Sequence, residues 1–166
     1  MEYYHKTMAS PVGKLTLIAG GKGLAAVLWE HDDPRRVKVP AGAEMSEHPV
    51  LLAAERELNE YFSGRRSSFS IGLDLTGTGF QKQIWEALLT IPFGETRTYG
   101  QIARQIGKPA AVRAVGGAVN KNPVSIIAPC HRVIGASGQL TGFAGGLENK
   151  AALLRLESAE TTGTFF

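Results

Sequence analysis

The chain has 166 residues, 43% apolar and 20% charged, with a net charge of +3; this fits one medium domain or two small ones, and nothing in the composition points to disorder. No apolar run is long enough to span a bilayer, and no positive-then-apolar leader opens the sequence. A lone cysteine excludes an internal disulfide and, with only four histidines, a Cys-rich zinc site, so no metal is expected; a thiol kept reduced suits the cytoplasm, the expected location.

Charge is unevenly spread. Residues 76–158 carry nine Lys and Arg against four Asp and Glu, whereas residues 1–75 carry nine against ten. A basic half of this kind suits a polyanion partner, although many domains carry such an excess as solvated surface.

In chain order, residues 3–8, 14–19 and 24–29 are short apolar or β-branched runs separated by glycine turns, which predicts a three-stranded antiparallel meander. His31 to His48 reads as a polar loop. Pro49 suits a helix N-terminus, and Leu51, Leu52, Leu58, Tyr61 and Phe62 give that helix an apolar face ended by Gly64. Phe69, Ile71, Leu73 and Leu75 alternate like a further strand. Thr76 to Gly79 reads as a seam, so the expected domains are 1–76 and 77–158, with a loosely held tail at 159–166.

Beyond the seam the pattern turns helical. Phe80, Ile84, Trp85, Leu88 and Leu89 recur at helical spacing up to Pro92-Phe93-Gly94. Thr98 with Gln101 is a capping box opening a second helix that Gly107 closes, and Pro109 is expected to start a third running to Asn120. This is a helix-turn-helix pattern. The third helix is nearly bare of bulk: Ala110, Ala111, Ala114, Gly116, Gly117 and Ala118 surround Arg113. Glycine pairs cost helix stability, so they imply either close helix packing or close approach of a partner backbone. A last helix is expected from Leu147 to Glu157, after a glycine-rich loop (141–146) that lacks the spacing of a phosphate loop.

Between these lies Ile126-Ile127-Ala128-Pro129-Cys130-His131-Arg132-Val133-Ile134-Gly135, with the only cysteine. A free cysteine is commonly an inert core residue, but a His and an Arg within two positions point to a presented thiol activated by positive charge. Cys130, His131 and Glu157 have the logic of a nucleophile, a base and an orienting carboxylate, with a water expected between sulfur and imidazole. On residue types alone, a multiple-turnover cysteine hydrolase or acyltransferase and a winged-helix DNA-binding regulator are alternatives.

Pro129-Cys130-His131-Arg132-Val133-Ile134-Gly135 resembles the active-site motif of the O6-alkylguanine-DNA alkyltransferases. The likeness extends to Ile91-Pro92-Phe93-Gly94-Glu95-Thr96, Thr98-Tyr99-Gly100, Ala114-Val115-Gly116-Gly117-Ala118, Asn122-Pro123-Val124 and Gly145-Gly146. It implies an α/β N-terminal domain of ribonuclease-H-like type, a three-stranded sheet plus helix, followed by a mainly α winged helix-turn-helix domain. It also implies irreversible, single-turnover transfer of an alkyl group from O6-alkylguanine, with O4-alkylthymine a second candidate lesion, in double-stranded DNA to Cys130 after base flipping. Under that resemblance Arg113 fills the vacated stack, Tyr99 turns the nucleotide out, and Ala110, Ala111, Gly116 and Gly117 let the helix lie against the duplex. Asn122 braces the cysteine turn, while Val133, Phe143, Ala144 and Ser125 form the base pocket. Ser125 stands where some members place a proline against a bulky alkyl group, which implies a poor fit for benzyl-type guanines. No cofactor is expected; the expected form is a monomer, with cooperative assembly on DNA left open.

Overall fold

The structure is a computed structural model that describes residues 2–162, with side chains through residue 158. Three strands, β1 (Tyr4–Met8), β2 (Leu15–Ala19) and β3 (Leu24–Leu28), form the expected antiparallel meander. A two-residue strand, β4 (Ala43–Glu44), adds in parallel to β1, so the sheet has four strands in the order β3-β2-β1-β4. The first helix, α1 (Pro49–Phe62), begins with proline in its first turn, is capped by His48 and is closed by Gly64 at φ 78°. It lays Leu51, Ala54, Leu58, Tyr61 and Phe62 into the core.

The alternating segment at Phe69–Leu75 does not become a strand. Leu73 makes a single bridge to Leu24. The backbone N–H groups of Ser70 and Ile71 donate instead to the buried carboxylate of Glu57, which removes them from any ladder.

The second half is helical: α2 (Gly79–Leu89), α3 (Tyr99–Gln105), α4 (Val112–Asn120) and α5 (Leu147–Thr162). Thr78–Gln81 and Thr98–Gln101 both close capping boxes. Pro109 does not open α4. It sits in a turn closed by the Ala111 N–H to Lys108 O bond, at a position where proline's fixed φ is favoured, and the helix starts three residues later. Two-residue strands β5 (Arg97–Thr98) and β6 (Val133–Ile134) pair in parallel beside the helices. The last helix passes Glu157 and runs through Thr162, so residues 159–162 of the expected tail are helical; Phe165 and Phe166 lie outside the described residues. Among those residues no helix is long and apolar enough to cross a membrane.

The outer edge of β3 joins the two halves. Its first residue, Leu24, exchanges bonds with Gly72 and Asp74, and Val27 N–H donates to Pro123 O, docking the chain just before the cysteine onto the sheet. At the seam, Gly77 lies against Trp85, whose Nε1 donates to Ala118 O of α4 at 2.9 Å. A Cβ on Gly77 would come within 2.5 Å of the indole and 2.8 Å of Gln81 Oε1 in the capping box. Gly77→Ala is therefore expected to lower stability by about 1–3 kcal/mol through overpacking, measured as a lower denaturant midpoint at unchanged slope.

Candidate active site

The cysteine turn is held under strain. Ile126, a β-branched residue, sits at φ 74°, the only non-glycine residue with positive φ among the described residues; such a conformation costs on the order of 1–3 kcal/mol and persists where surroundings enforce it. The enforcement comes from Asn122, fully buried, which donates through Nδ2 to Ala128 O at 2.8 Å and accepts from Val124 N–H at 3.0 Å. Two further bonds fix the same turn: Arg36 Nη1 donates to the carbonyls of Asn120 and Asn122, both at 2.8 Å, while Asp32 pairs with that guanidinium. Cys130 then opens a short 3₁₀ turn, Cys130–Arg132.

His131 and Arg132 do not point their charge at the sulfur as the sequence spacing suggested. Both turn to Glu157 on α5. His131 Nε2 meets Glu157 Oε2 at 2.6 Å, Arg132 Nε and Nη2 grip the two carboxylate oxygens at 2.8 and 3.0 Å, and Tyr61 Oη, from α1, donates to Oε2 at 2.6 Å. The carboxylate is 1% exposed. Burial opposes its charge, but the His131 and Arg132 contacts prevail and hold it down at about 2. Burial pushes His131 below its ordinary 6.5, so the imidazole is neutral near pH 7. Its Nδ1 is buried without a hydrogen-bond partner among the described residues, leaving one nitrogen free to take a proton.

Cys130 is 6% exposed. Burial pushes its thiol up, opposed by hydrogen bonds from Asn122 and Ser125 and by the positive charges of Arg36 and Lys150. Those two cations come from a surface loop and from α5, not from the Cys-His-Arg motif. Lys150 is itself buried, donating to Val133 O at 2.6 Å, with its ammonium 5.8 Å from the Phe143 ring centre. Burial pulls its pKa down. Neither cation was found from sequence, nor was Tyr61; the one available signal was Lys150 and Glu157 standing two turns apart on one helix face.

A cleft of about 30 Å³ reaches the sulfur, bounded by Arg36, Tyr99, Gly116, Val119, Asn120, Cys130, Gly142, Phe143 and Ala144. That is room for a water or two, far below the roughly 300 Å³ of small-molecule pockets. Its mouth is latched by a 2.7 Å hydrogen bond between Tyr99 Oη and Thr141 Oγ1. Of the expected base-pocket residues, Phe143 and Ala144 line the cleft; Val133 and Ser125 stand outside this set, both fully buried.

Outside the mouth, α4 buries Val115, Ala118 and Val119 and exposes Val112, Arg113, Ala114 and Gly117. Gly117 faces open space, and Gly116 faces the Tyr99 ring at ordinary contact distance, so close helix packing does not explain the small residues. Arg113 is exposed and makes no hydrogen bond or ion pair among the described residues. Ala110 is exposed in the preceding turn and Ala111 caps the helix half-buried.

Acid sensitivity follows from the buried pair. The folded pKa values of His131 and Glu157 both lie below their ordinary 6.5 and 4.5, so the unfolded chain takes up protons first as pH falls. The stability these groups contribute is complete above 6.5 and is lost progressively on acidification. Urea unfolding across that range should show the decline, and Glu157→Gln should be less stable at neutral pH yet lose less below 4.5. Removing the latch with Thr141→Val should speed alkylation of Cys130 by iodoacetamide about fivefold, the equivalent of one ordinary hydrogen bond.

Comparison with known proteins agrees with this geometry. Residues 79–159 match the family model described as 6-O-methylguanine DNA methyltransferase, DNA binding domain, and residues 3–75 match its ribonuclease-like domain. A Mycobacterium bovis protein named methylated-DNA--protein-cysteine methyltransferase is 49% identical over 94% of this chain and 93% of its own length. One of the same name from Methanosarcina acetivorans is 47% identical over 94% and 99%. The crystal structure of Mycobacterium tuberculosis OGT in complex with DNA superposes with a TM-score of 0.85 at 47% identity, covering 96% of this chain and 94% of that one. With a buried cysteine, an imidazole and a carboxylate arranged beneath a helix-turn-helix, the chain belongs to the 6-O-methylguanine DNA methyltransferase family.

Proposed function

We propose that the chain repairs DNA directly, moving the alkyl group of O6-alkylguanine in duplex DNA onto the Cys130 sulfur, once per molecule. The observation that carries the reading is the buried Cys130–His131–Glu157 set beneath a narrow mouth edged by Tyr99 and α4. Neutral His131, oriented by Glu157, takes the thiol proton through its unpartnered Nδ1, by way of a bridging water. The thiolate attacks the alkyl carbon in line. The S–C bond forms as the C–O6 bond breaks, and that electron pair stays on the purine, which is reprotonated as guanine. The resulting thioether has no easy hydrolytic route, and no second nucleophile in the site would remove the alkyl group.

Binding of the duplex is the step the bare α4 surface serves. Its small residues allow close approach to the minor groove, Arg113 fills the stack left by the flipped nucleotide, and Tyr99 leaves Thr141 to turn the base inward. A purine is far larger than the closed cleft, so flipping and unlatching occur together. Backbone groups of Cys130, Val133 and Ala144 read the guanine edge. Pro123-Val124-Ser125 and Phe143 bound the alkyl side.

Incubating the protein with a duplex containing O6-methylguanine should add the mass of one methylene to Cys130, with one equivalent of lesion repaired per protein. Continued release of product would favour a hydrolase, and binding without an adduct a regulator. Cys130→Ser should bind the duplex and leave the lesion intact. Arg113→Ala should slow repair on the order of tenfold or more by weakening flipping, with iodoacetamide reactivity unchanged.

A further inference from the structure

We propose that the polar loop between β3 and β4 and the C-terminal end of α4 form a basic track that takes the phosphate backbone of the DNA arm leading away from the flipped nucleotide. The N-terminal domain would then hold the substrate directly. This rests on the reading of α4 as the face that meets the duplex.

Two hollows lie side by side on this surface. The first, of about 530 Å³, shares Arg36, Asn120 and Ala144 with the cleft that reaches Cys130, so it begins at the active-site mouth. The second, of about 310 Å³, shares Arg35, Arg36 and Lys121 with the first and extends to Lys38 and to Thr76 at the seam. Among the described residues no carboxylate lines the second hollow. Arg35, Lys38 and Lys121 are all exposed. On α4, Arg113, Gly117 and Asn120 stand at i, i+4 and i+7, a single exposed face, and Lys121 follows at the helix end. The bare face of α4 therefore runs into the track without a break.

The charges along it decide the partner. Asp32 is held by Arg36 and Asp33 by Arg35, so both carboxylates of the first hollow are already balanced. Lys38 and Lys121 make no side-chain hydrogen bond or ion pair among the described residues. Two uncommitted ammonium groups thus stand where each carboxylate has its own arginine. The carbonyls at the C-terminal end of a helix ordinarily repel a phosphate. Here Arg36 Nη1 covers those of Asn120 and Asn122, each at 2.8 Å. A surface with spare positive charge and a masked helix end suits a strand that carries one negative charge per nucleotide.

The test measures binding to an undamaged duplex across a range of salt concentrations. Each phosphate contact contributes about 0.9 to the fall of log affinity with log salt. Lys38→Gln and Lys121→Gln should each lower that slope by about one and the double variant by about two, with single-variant affinity down about tenfold at 0.1 M salt and the difference vanishing towards 1 M. Unfolding temperatures should not change. Lys22→Gln removes the same charge from the exposed turn between β2 and β3, which lines neither hollow, and should leave the slope as it is. In a Cys130→Ser background, with O6-methylguanine fixing the register, shortening one arm of the duplex should erase the double variant's defect and shortening the other should not. Unchanged slopes in Lys38→Gln and Lys121→Gln would overturn the proposal, as would an equal change in Lys22→Gln or a defect that survives shortening of either arm. So would a defect confined to several chains crowding one long duplex, because the track would then face a second copy. Slopes are read on undamaged DNA, so a wild-type chain that binds duplex but takes up no methyl defeats the repair reading while the slopes still decide the track. A wild-type chain that binds no duplex ends both.

Discussion

One buried carboxylate organises the chemistry. Glu157 is removed from water, and a charge so placed is tolerated only when partners surround it. It is met by the guanidinium of Arg132, the imidazole of His131 and the hydroxyl of Tyr61. Arg132 balances the negative charge, so His131 need not be protonated to keep Glu157 ionised. The imidazole is thereby oriented by one nitrogen and neutral at the other. Arg132 also donates to Ile91 O at 2.6 Å, which ties the turn after α2 into the same set.

The thiol is correspondingly quiet. Burial raises it, and its cationic neighbours only partly offset that. A chronically ionised sulfur would be open to any passing electrophile. Under the proposed reaction, ionisation waits on a proton acceptor and on a base entering a cleft that is narrow beforehand. Strain at Ile126 and the Asn122 brace fix the turn that carries Cys130, and the Tyr99–Thr141 bond narrows the way to it.

Local chemistry was legible in the sequence and long-range partnership was not. The Thr98–Gln101 capping box, the Gly64 and Gly107 helix ends and the Cys-His-Arg turn are written within a few residues and stand where expected. The cations near the sulfur were misassigned because adjacency in sequence says nothing of direction: Arg132 turns to Glu157, while Arg36 and Lys150 arrive from elsewhere in the chain. Tyr61 reads correctly as apolar in pattern, yet its ring carries a hydroxyl whose partner is 96 positions away. The segment around Leu73 has strand alternation, but alternation reports faces and not the destination of the N–H groups, which Glu57 captures. β4 is too short to show any period.

The docking of Pro123 on Val27 and of Gly72 and Asp74 on Leu24 seals the sheet on that side. A strand margin left bare invites pairing with other chains, so cutting the chain at its seam would bare it along half its length. The severed second piece would in turn surrender the hydroxyl that shares Glu157. Two sequence modules with separate family matches are, in three dimensions, interlocked: each lends the other a group that its structure uses.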